Sequence, residues 1–179
     1  MRRLVAIIGL LVSASCVFTT QALAQSALPP DAVKAAFLLR FASFVQWPPS
    51  AFGDDQSPIR LCIVGDGAVA PLRERTAPAQ GLNGRAFEVR NLSGLAAARD
   101  CHIVYVTGAV VDDTLRAVRG HPVLTVTDAA SGRARGMIHF VIVQDHVRFH
   151  IDDAQAAESG LFISSRLLAL AVSVRRRAQ

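Results

Sequence analysis

Short apolar runs alternate with helix-like stretches between residues 59 and 127, and this alternation constrains the fold more than any other feature. Strands are predicted at 59–64, 86–90, 102–106 and 123–127, and helical stretches at 68–75, 95–99 and 111–118. Such alternation is typical of a mostly parallel sheet that is covered by helices on both faces. We therefore predict a single-domain α/β fold with a doubly wound, flavodoxin-like sheet.

A C-terminal antiparallel β-hairpin is predicted over residues 137–151. A two-residue turn at Gln144 and Asp145 creates one wholly apolar face, made of Ile138, Phe140, Ile142, Val147, Phe149 and Ile151. The other face pairs His139 with His150 and also carries Val141, Val143, His146 and Arg148. A register shift of one residue would exchange the two faces, so the pattern specifies the pairing strongly. We expect the apolar face to belong to the core.

An amphipathic helix is predicted to open the domain, with Asp31 as its N-cap. Apolar residues follow at helical spacing on one stripe, at Val33, Phe37, Phe41 and Phe44. The helix should stop where Trp47 meets two prolines. The stripe is expected to pack on the sheet. Trp47, at the end of this segment, either joins the core or contacts a ligand or partner.

The end of the chain is predicted to be helical. Asp152 or Asp153 should cap a short alanine-rich helix that ends at Gly160. Ser164-Ser165 should then cap a last helix, whose apolar residues continue as far as Val174.

The first 24 residues have the pattern of a secretory signal peptide. Arg2 and Arg3 precede an apolar run at 4–12, and Ala22-Leu23-Ala24 forms a small-x-small cleavage site before Gln25. The run is short for a spanning helix, which needs about 20 apolar residues, so a retained anchor is the less favoured alternative. We expect Cys16 to leave with the leader and residues 25–179 to form the exported domain.

The charge pattern excludes one class of partner more clearly than it identifies another. The formal net charge is +5, and the basic residues are scattered without interleaved aromatic side chains, which argues against nucleic-acid binding. The one basic run, Arg175-Arg176-Arg177, is typical of a solvated tail, and attraction to anionic lipid headgroups is the alternative.

Two cysteines, Cys62 and Cys101, remain after the leader is removed. An isolated pair in an oxidising compartment usually forms a disulfide. Cys62 lies near the start of the first predicted strand and Cys101 directly precedes the third, and a flavodoxin-like order places those two strands side by side. We therefore predict a Cys62–Cys101 bridge that stabilises the fold by roughly 3–4 kcal/mol.

A loose dinucleotide fingerprint begins at Gly65-Asp66-Gly67, between a predicted strand and a predicted helix. Glu88 would be its ribose-binding acid. Asp66, however, would place a carboxylate beside the phosphates, and Glu88 lies inside a strand rather than at its C-terminal end. The alternative, a tight turn that needs glycine, is favoured.

His139 and His150, which face each other across the hairpin, are the weak candidates for a metal site, with Asp152 as a third ligand. A solvated polar face is the commoner explanation of such a pair. No G-x-S-x-G elbow is present, so no nucleophile, catalytic residue or cofactor is predicted.

Segments along nearly the whole exported domain resemble the YfiR family, in the family's order. They are residues 33–38 with Phe41, Phe44, Val45 and Trp47-Pro48; then residues 59–66, Gly84-Arg85, residues 101–103, 123–128 and 136–138, Gly160-Leu161 and residues 163–168. The resemblance implies a periplasmic α/β protein that represses a membrane-bound diguanylate cyclase by binding its periplasmic portion. It also implies a disulfide at Cys62 and Cys101, and no catalytic residues.

Two hypotheses from different classes follow. The leading one is a periplasmic regulatory binding protein whose partner is an inner-membrane signalling protein, with a homodimer as a further partner to consider. The rival is a periplasmic small-molecule receptor for a nucleotide-like or amino-acid ligand, with its pocket at the C-terminal strand ends near Gly65-Asp66-Gly67.

Overall fold

The computed structural model of the chain describes residues 28–65, 85–128 and 132–178. Within these ranges the helices are α1 (Pro30–Phe41), α2 (Val111–Ala117), α3 (Asp153–Glu158) and α4 (Ser165–Leu168). The strands are β1 (Val45–Gln46), β2 (Ile59–Val64), β3 (Phe87–Leu92), β4 (Ile103–Val106), β5 (Leu124–Thr127), β6 (Ile138–Val143), β7 (His146–Asp152), β8 (Phe162–Ile163) and β9 (Ser173–Arg175). The predicted leader, residues 1–24, and the predicted helix at 68–75 lie outside the described residues.

Seven strands form one mixed sheet in the order β3-β2-β4-β5-β6-β7-β9. The first five are parallel, β7 is antiparallel to β6, and β9 is parallel to β7. The order of the parallel strands is the flavodoxin-like order, in which the first strand lies between the second and the third. The predicted mostly parallel, doubly wound sheet is therefore confirmed. Strands β1 and β8 form a separate antiparallel pair.

The two faces of the sheet are covered by different elements. Leu61 and Ile103 share one core cluster with the buried side of α1. On the opposite face, α2 and the 3-10 turn at Ala96–Asp100 pack near Val104 and Val106. Because β2 and β4 are buried on both faces, their sequences are nearly continuous apolar runs rather than alternating ones.

The hairpin of β6 and β7 has the predicted register. All six cross-strand pairs, His139 with His150 among them, are those expected from the sequence. Gln144 and Asp145 at the turn have φ angles of 48° and 60°, the positive values that a type I′ turn requires. The turn geometry and the alternating pattern therefore specify the same pairing.

One member of the predicted apolar face, Ile142, is not in the core. Its exposed fraction is 52%, whereas the other five members are buried. Helix α1 covers the hairpin only where its aromatic rings reach: Phe37 contacts Phe149 at 5.5 Å and Phe41 contacts Phe140 at 5.7 Å between ring centroids. Ile142 lies beyond these contacts, nearer the turn, and the prediction was wrong for this residue.

The predicted cap of α1 was also wrong, because the helix begins at Pro30 and Pro29 occupies the cap position without a side-chain hydrogen bond. Proline suits a first helical position, since its missing N–H would have no partner there. Asp31 lies in the first turn and pairs with Lys34 instead. Among the described residues, no helix is long and apolar enough to cross a membrane.

At the other end of the domain, the Asp152 cap is confirmed. Its side chain accepts a hydrogen bond from the Gln155 N–H at 2.9 Å, and Gly160 follows α3 with a φ of +74°. The last helix is shorter than predicted and ends at Leu168. The chain then turns and adds β9 to the free edge of β7, where Val174 pairs with Ile151.

Candidate functional site

The predicted disulfide links β2 to the segment that leads into β4, the neighbouring strand of the sheet. Cys62 and Cys101 are bonded, and their Cα atoms lie 6.0 Å apart. Strand β2 pairs with β4 so that Leu61 is opposite Ile103, which places Cys101 at the entrance of β4. Cys62 is the fourth residue of β2, further into the strand than the sequence suggested. Both cysteines are buried, so a reducing thiolate reaches the bridge only after local opening.

A buried histidine follows the disulfide directly and anchors the neighbouring loop. The Nδ1 atom of His102 accepts a hydrogen bond from the Arg60 N–H at 3.0 Å, and its Nε2 atom lies 3.0 Å from the Ala51 carbonyl oxygen. Because Nδ1 accepts, the ring carries its proton on Nε2 and donates it to Ala51. Phe52 stacks on the imidazole at 4.5 Å. Burial, followed by the positive charge of Arg60, lowers the pKa of His102 to about 4.

Trp47 packs against this histidine and is largely buried. Its Nε1–H donates to the His102 carbonyl oxygen at 3.2 Å, and only 9% of the residue is exposed. The exposed remainder lines a cleft of about 620 Å³, together with Phe52 and Arg85. The Arg85 guanidinium lies 4.1 Å from the centre of the Phe52 ring, a cation–π arrangement. Contact between Trp47 and a ligand or partner stays a prediction.

Gly65 ends β2 in a conformation that favours glycine. Its φ is +88°, and a Cβ atom at this position would overlap the carbonyl oxygen of Thr107. This geometry agrees with the tight-turn interpretation. Asp66 and Gly67 lie outside the described residues. The Glu88 carboxylate accepts a hydrogen bond from Arg90 at 2.7 Å within the same strand. The ligand site at these strand ends therefore stays a prediction.

A buried polar cluster, which sequence reasoning missed, fastens α1 to the C-terminal edge of the sheet. The Asp128 carboxylate, just after β5, accepts hydrogen bonds from the Lys34 ammonium at 2.9 Å and from the Tyr105 hydroxyl at 2.7 Å. Burial lowers the pKa of Lys34, but the hydrogen bond and the charge of Asp128 outweigh it, so the pKa lies above 10.5. Burial and Asp128 together raise the pKa of Tyr105. The only signal in the sequence was that the chain has a single lysine and a single tyrosine.

An apolar groove lies between the start of α1, the hairpin and the segment after α4. It has a volume of about 620 Å³, and the apolar residues of its lining are Leu28, Pro30, Val33, Phe37, Val147, Phe149 and Leu170. Leu28 and Leu170 are 64% and 54% exposed, and the exposed Ile142 is paired with Val147 beside them. Exposed apolar surface of this kind marks interaction sites. Sequence reasoning missed this groove, because Leu170 was assigned to a packed helix.

The two hairpin histidines lie opposite each other, as predicted. His139 Nδ1 is 2.9 Å from the Thr127 hydroxyl, and His150 Nδ1 is 2.6 Å from the Ser173 hydroxyl. Asp152 pairs with Arg175. Within residues 28–65, 85–128 and 132–178, no group of three or more His, Cys, Asp or Glu side chains is placed to hold a metal ion.

Two arginines of the terminal basic run pair with acidic residues of α3 and its cap. Arg175 contacts Asp152 at 2.6 Å, and Arg177 contacts Asp153 at 2.5 Å. The Arg177 guanidinium also lies 5.0 Å from the centre of the exposed Phe162 ring. These contacts anchor β9 and the residues after it. Two of the three positive charges of this run are therefore paired with carboxylates of the same domain.

A family model described as YfiR/HmsC-like matches residues 31–172. The match extends from the first turn of α1 to the residue before β9, so it includes the disulfide, the buried polar cluster and most of the apolar groove. No curated protein matches the sequence.

Proposed function

The chain belongs to the YfiR/HmsC-like family, and from this membership we propose that it is a periplasmic regulator that represses an inner-membrane diguanylate cyclase. It would bind the periplasmic portion of that enzyme and lower cyclic-di-GMP synthesis, and with it biofilm output. The observation that carries the proposal is the family match over residues 31–172. The family is regulatory rather than catalytic, which supports a binding role.

Export to the periplasm is part of the same proposal. Residues 1–24 have the signal-peptide pattern and residues 25–179 would be the exported domain. The Cys62–Cys101 bridge supports this placement, because structural disulfides persist in oxidising compartments and are rare in the cytosol.

The apolar groove is the surface that we assign to the cyclase. Its aromatic and aliphatic floor belongs to α1 and the hairpin, which pack together through Phe37 and Phe149, and its rim carries exposed leucines. Completely burying a leucine side chain contributes about 1.5–3 kcal/mol. Leu170 is about half exposed in the free protein, so its burial in a complex should strengthen binding about tenfold.

Repression requires that the regulator distinguish two states of its partner. A protein that bound the active and inactive cyclase equally well would change nothing, however tight the complex. A tenfold preference for the inactive state corresponds to about 1.4 kcal/mol of differential binding. One well-placed apolar contact that forms only in the inactive state is therefore enough to shift the equilibrium.

The experiment that tests the proposal is a cross-linked pull-down of the tagged, exported protein from its own cells, read by mass spectrometry. We expect recovery of a membrane protein with a periplasmic sensor domain and a cytoplasmic cyclase domain. Leu170→Asp should reduce this recovery about tenfold. Phe162→Asp is the matched control, because Phe162 is 49% exposed on β8, outside the apolar groove.

The other outcomes lead to different conclusions. If Leu170→Asp and Phe162→Asp reduced the recovery of the cyclase equally, the apolar groove would not be the contact surface. Recovery of this chain alone, from cells that express such cyclases, would contradict the repressor role and favour the small-molecule receptor. If sedimentation showed a homodimer that Leu170→Asp dissociates, a second copy of the chain would be the occupant of the groove.

A further inference from the structure

A smaller cleft opens on the face of the hairpin opposite the apolar groove. Its volume is about 220 Å³, and its polar lining comes from Arg135, His139, His150, Asp152, Ser173 and Arg175. Typical pockets for drug-sized ligands measure about 300–1,000 Å³. The cleft is therefore suited to an inorganic ion or to the charged end of a small molecule rather than to a whole nucleotide.

The orientation of the His139 ring places a hydrogen-bond donor in this cleft. The Thr127 hydroxyl oxygen accepts the Gly136 N–H at 3.0 Å and lies 2.9 Å from His139 Nδ1. Among the described residues, Nδ1 is the one acceptor within reach of the buried Thr127 hydroxyl proton, so Nδ1 accepts and the neutral ring is protonated on Nε2. His139 is only 4% exposed. Among the described residues, nothing accepts a hydrogen bond from its Nε2–H.

The charges around this donor are predominantly positive. Arg135 is exposed at the edge of the cleft, and no carboxylate in the described part of the chain forms an ion pair with it. Asp152 is the one acidic side chain of the lining, and Arg175 already neutralises it at 2.6 Å. Burial, followed by the charges of Arg135 and His150, lowers the pKa of His139. The site therefore disfavours an added positive charge and would be stabilised by a negative one.

We propose that this cleft binds a small oxyanion, the phosphate or carboxylate group of a soluble ligand. Arg135 supplies a guanidinium that can form two parallel hydrogen bonds to such a group, and the His139 Nε2–H supplies a second donor from the cleft lining. A metal cation does not suit the same cleft, because Nδ1 of His139 already accepts a hydrogen bond and two guanidinium groups repel positive charge. This ligand site does not depend on the repressor role.

The test is a titration of the protein with inorganic phosphate at constant ionic strength, followed by NMR of the imidazole nitrogens. We expect the signals of His139 and His150 to shift and saturate, with a dissociation constant near or below about 1 mM. A parallel titration with acetate identifies the ligand class. A response to phosphate alone indicates a phosphate ligand, and a response to acetate alone indicates a carboxylate ligand.

Two arginine variants separate a specific contact from general charge. Arg135→Gln should weaken binding about tenfold, as expected for the loss of a charge-assisted hydrogen bond. Arg133 carries the same charge in the same loop but does not line the cleft. The affinity of Arg133→Gln for the anion should therefore stay within about twofold of that of the wild type. Equal weakening in the two variants, or no saturable shift with either anion, would overturn the proposal.

Discussion

Mild acid should destabilise this protein through His102, the buried imidazole beneath Phe52. In the unfolded chain a histidine titrates near pH 6.5. In the folded protein, burial and the positive charges of Arg60 and Arg85 lower the pKa of His102 to about 4, against the opposing effect of the hydrogen bond to Ala51. The unfolded state therefore binds more protons between these two pH values. The stability that the neutral His102 ring contributes is fully present above pH 6.5 and falls as the pH decreases toward 4.

The size of the effect follows from the difference between the two pKa values of His102. A difference of roughly 2.5 pH units corresponds to a limiting loss of about 3 kcal/mol in the free energy of unfolding. Between pH 7 and pH 5 the linkage relation gives a loss of about 2 kcal/mol. Below pH 4 this contribution levels off, because the native state then takes up the same proton.

Urea unfolding at pH 7, 6 and 5 measures this loss. His102→Gln is the informative variant, because its amide carries both an acceptor for the Arg60 N–H and a donor for the Ala51 carbonyl, as the neutral ring does. Its free energy of unfolding should fall about 2 kcal/mol less than that of the wild type between pH 7 and 5. His146→Gln, at an exposed position of the hairpin, should follow the wild type. Parallel curves for wild type and His102→Gln would refute the reasoning.

Three further measurements test other parts of the structure. The Cys62→Ala, Cys101→Ala double variant removes a cross-link between residues 39 positions apart in sequence, and its free energy of unfolding should fall by about 4 kcal/mol in urea, with loss of the proposed repression. An unchanged melting temperature would contradict this. Asp128→Ala leaves the partly buried Lys34 without its nearest carboxylate and the buried Tyr105 hydroxyl without its acceptor, so we expect a loss of about 1–3 kcal/mol in the same assay. Ile142→Thr should change stability by less than about 0.5 kcal/mol, whereas a loss above about 1 kcal/mol would mean that this side chain is packed.

The parts of the fold that depend on local pattern could be predicted from the sequence. The hairpin register needs only a period of two and a turn that tolerates positive φ at Gln144 and Asp145. The adjacency of β2 and β4 followed from the alternation of elements and agreed with the positions of Cys62 and Cys101. Each of these inferences uses residues that are close in sequence or a rule of topology.

The parts that depend on remote contacts could not be predicted. Lys34 and Asp128 are 94 residues apart in sequence, and His102 and Ala51 are 51 residues apart. Each polar residue by itself has the character of a surface residue, so burial is visible only after the elements pack. Similarly, the residues before Val174 favour a helix locally, but the free edge of β7 offers backbone hydrogen bonds that favour a strand.

The alternation that defines the hairpin also separates the two proposed binding surfaces. Successive residues of a strand point to opposite faces, so Phe149 contributes to the apolar groove while its neighbour His150 lines the oxyanion cleft. A groove variant such as Leu170→Asp should therefore bind phosphate as the wild type does. Arg135→Gln should recover the proposed cyclase partner as the wild type does, when no anion is added. If Leu170→Asp also lost phosphate binding, the shared cause would be a disturbed hairpin, and neither loss could be assigned to a direct contact.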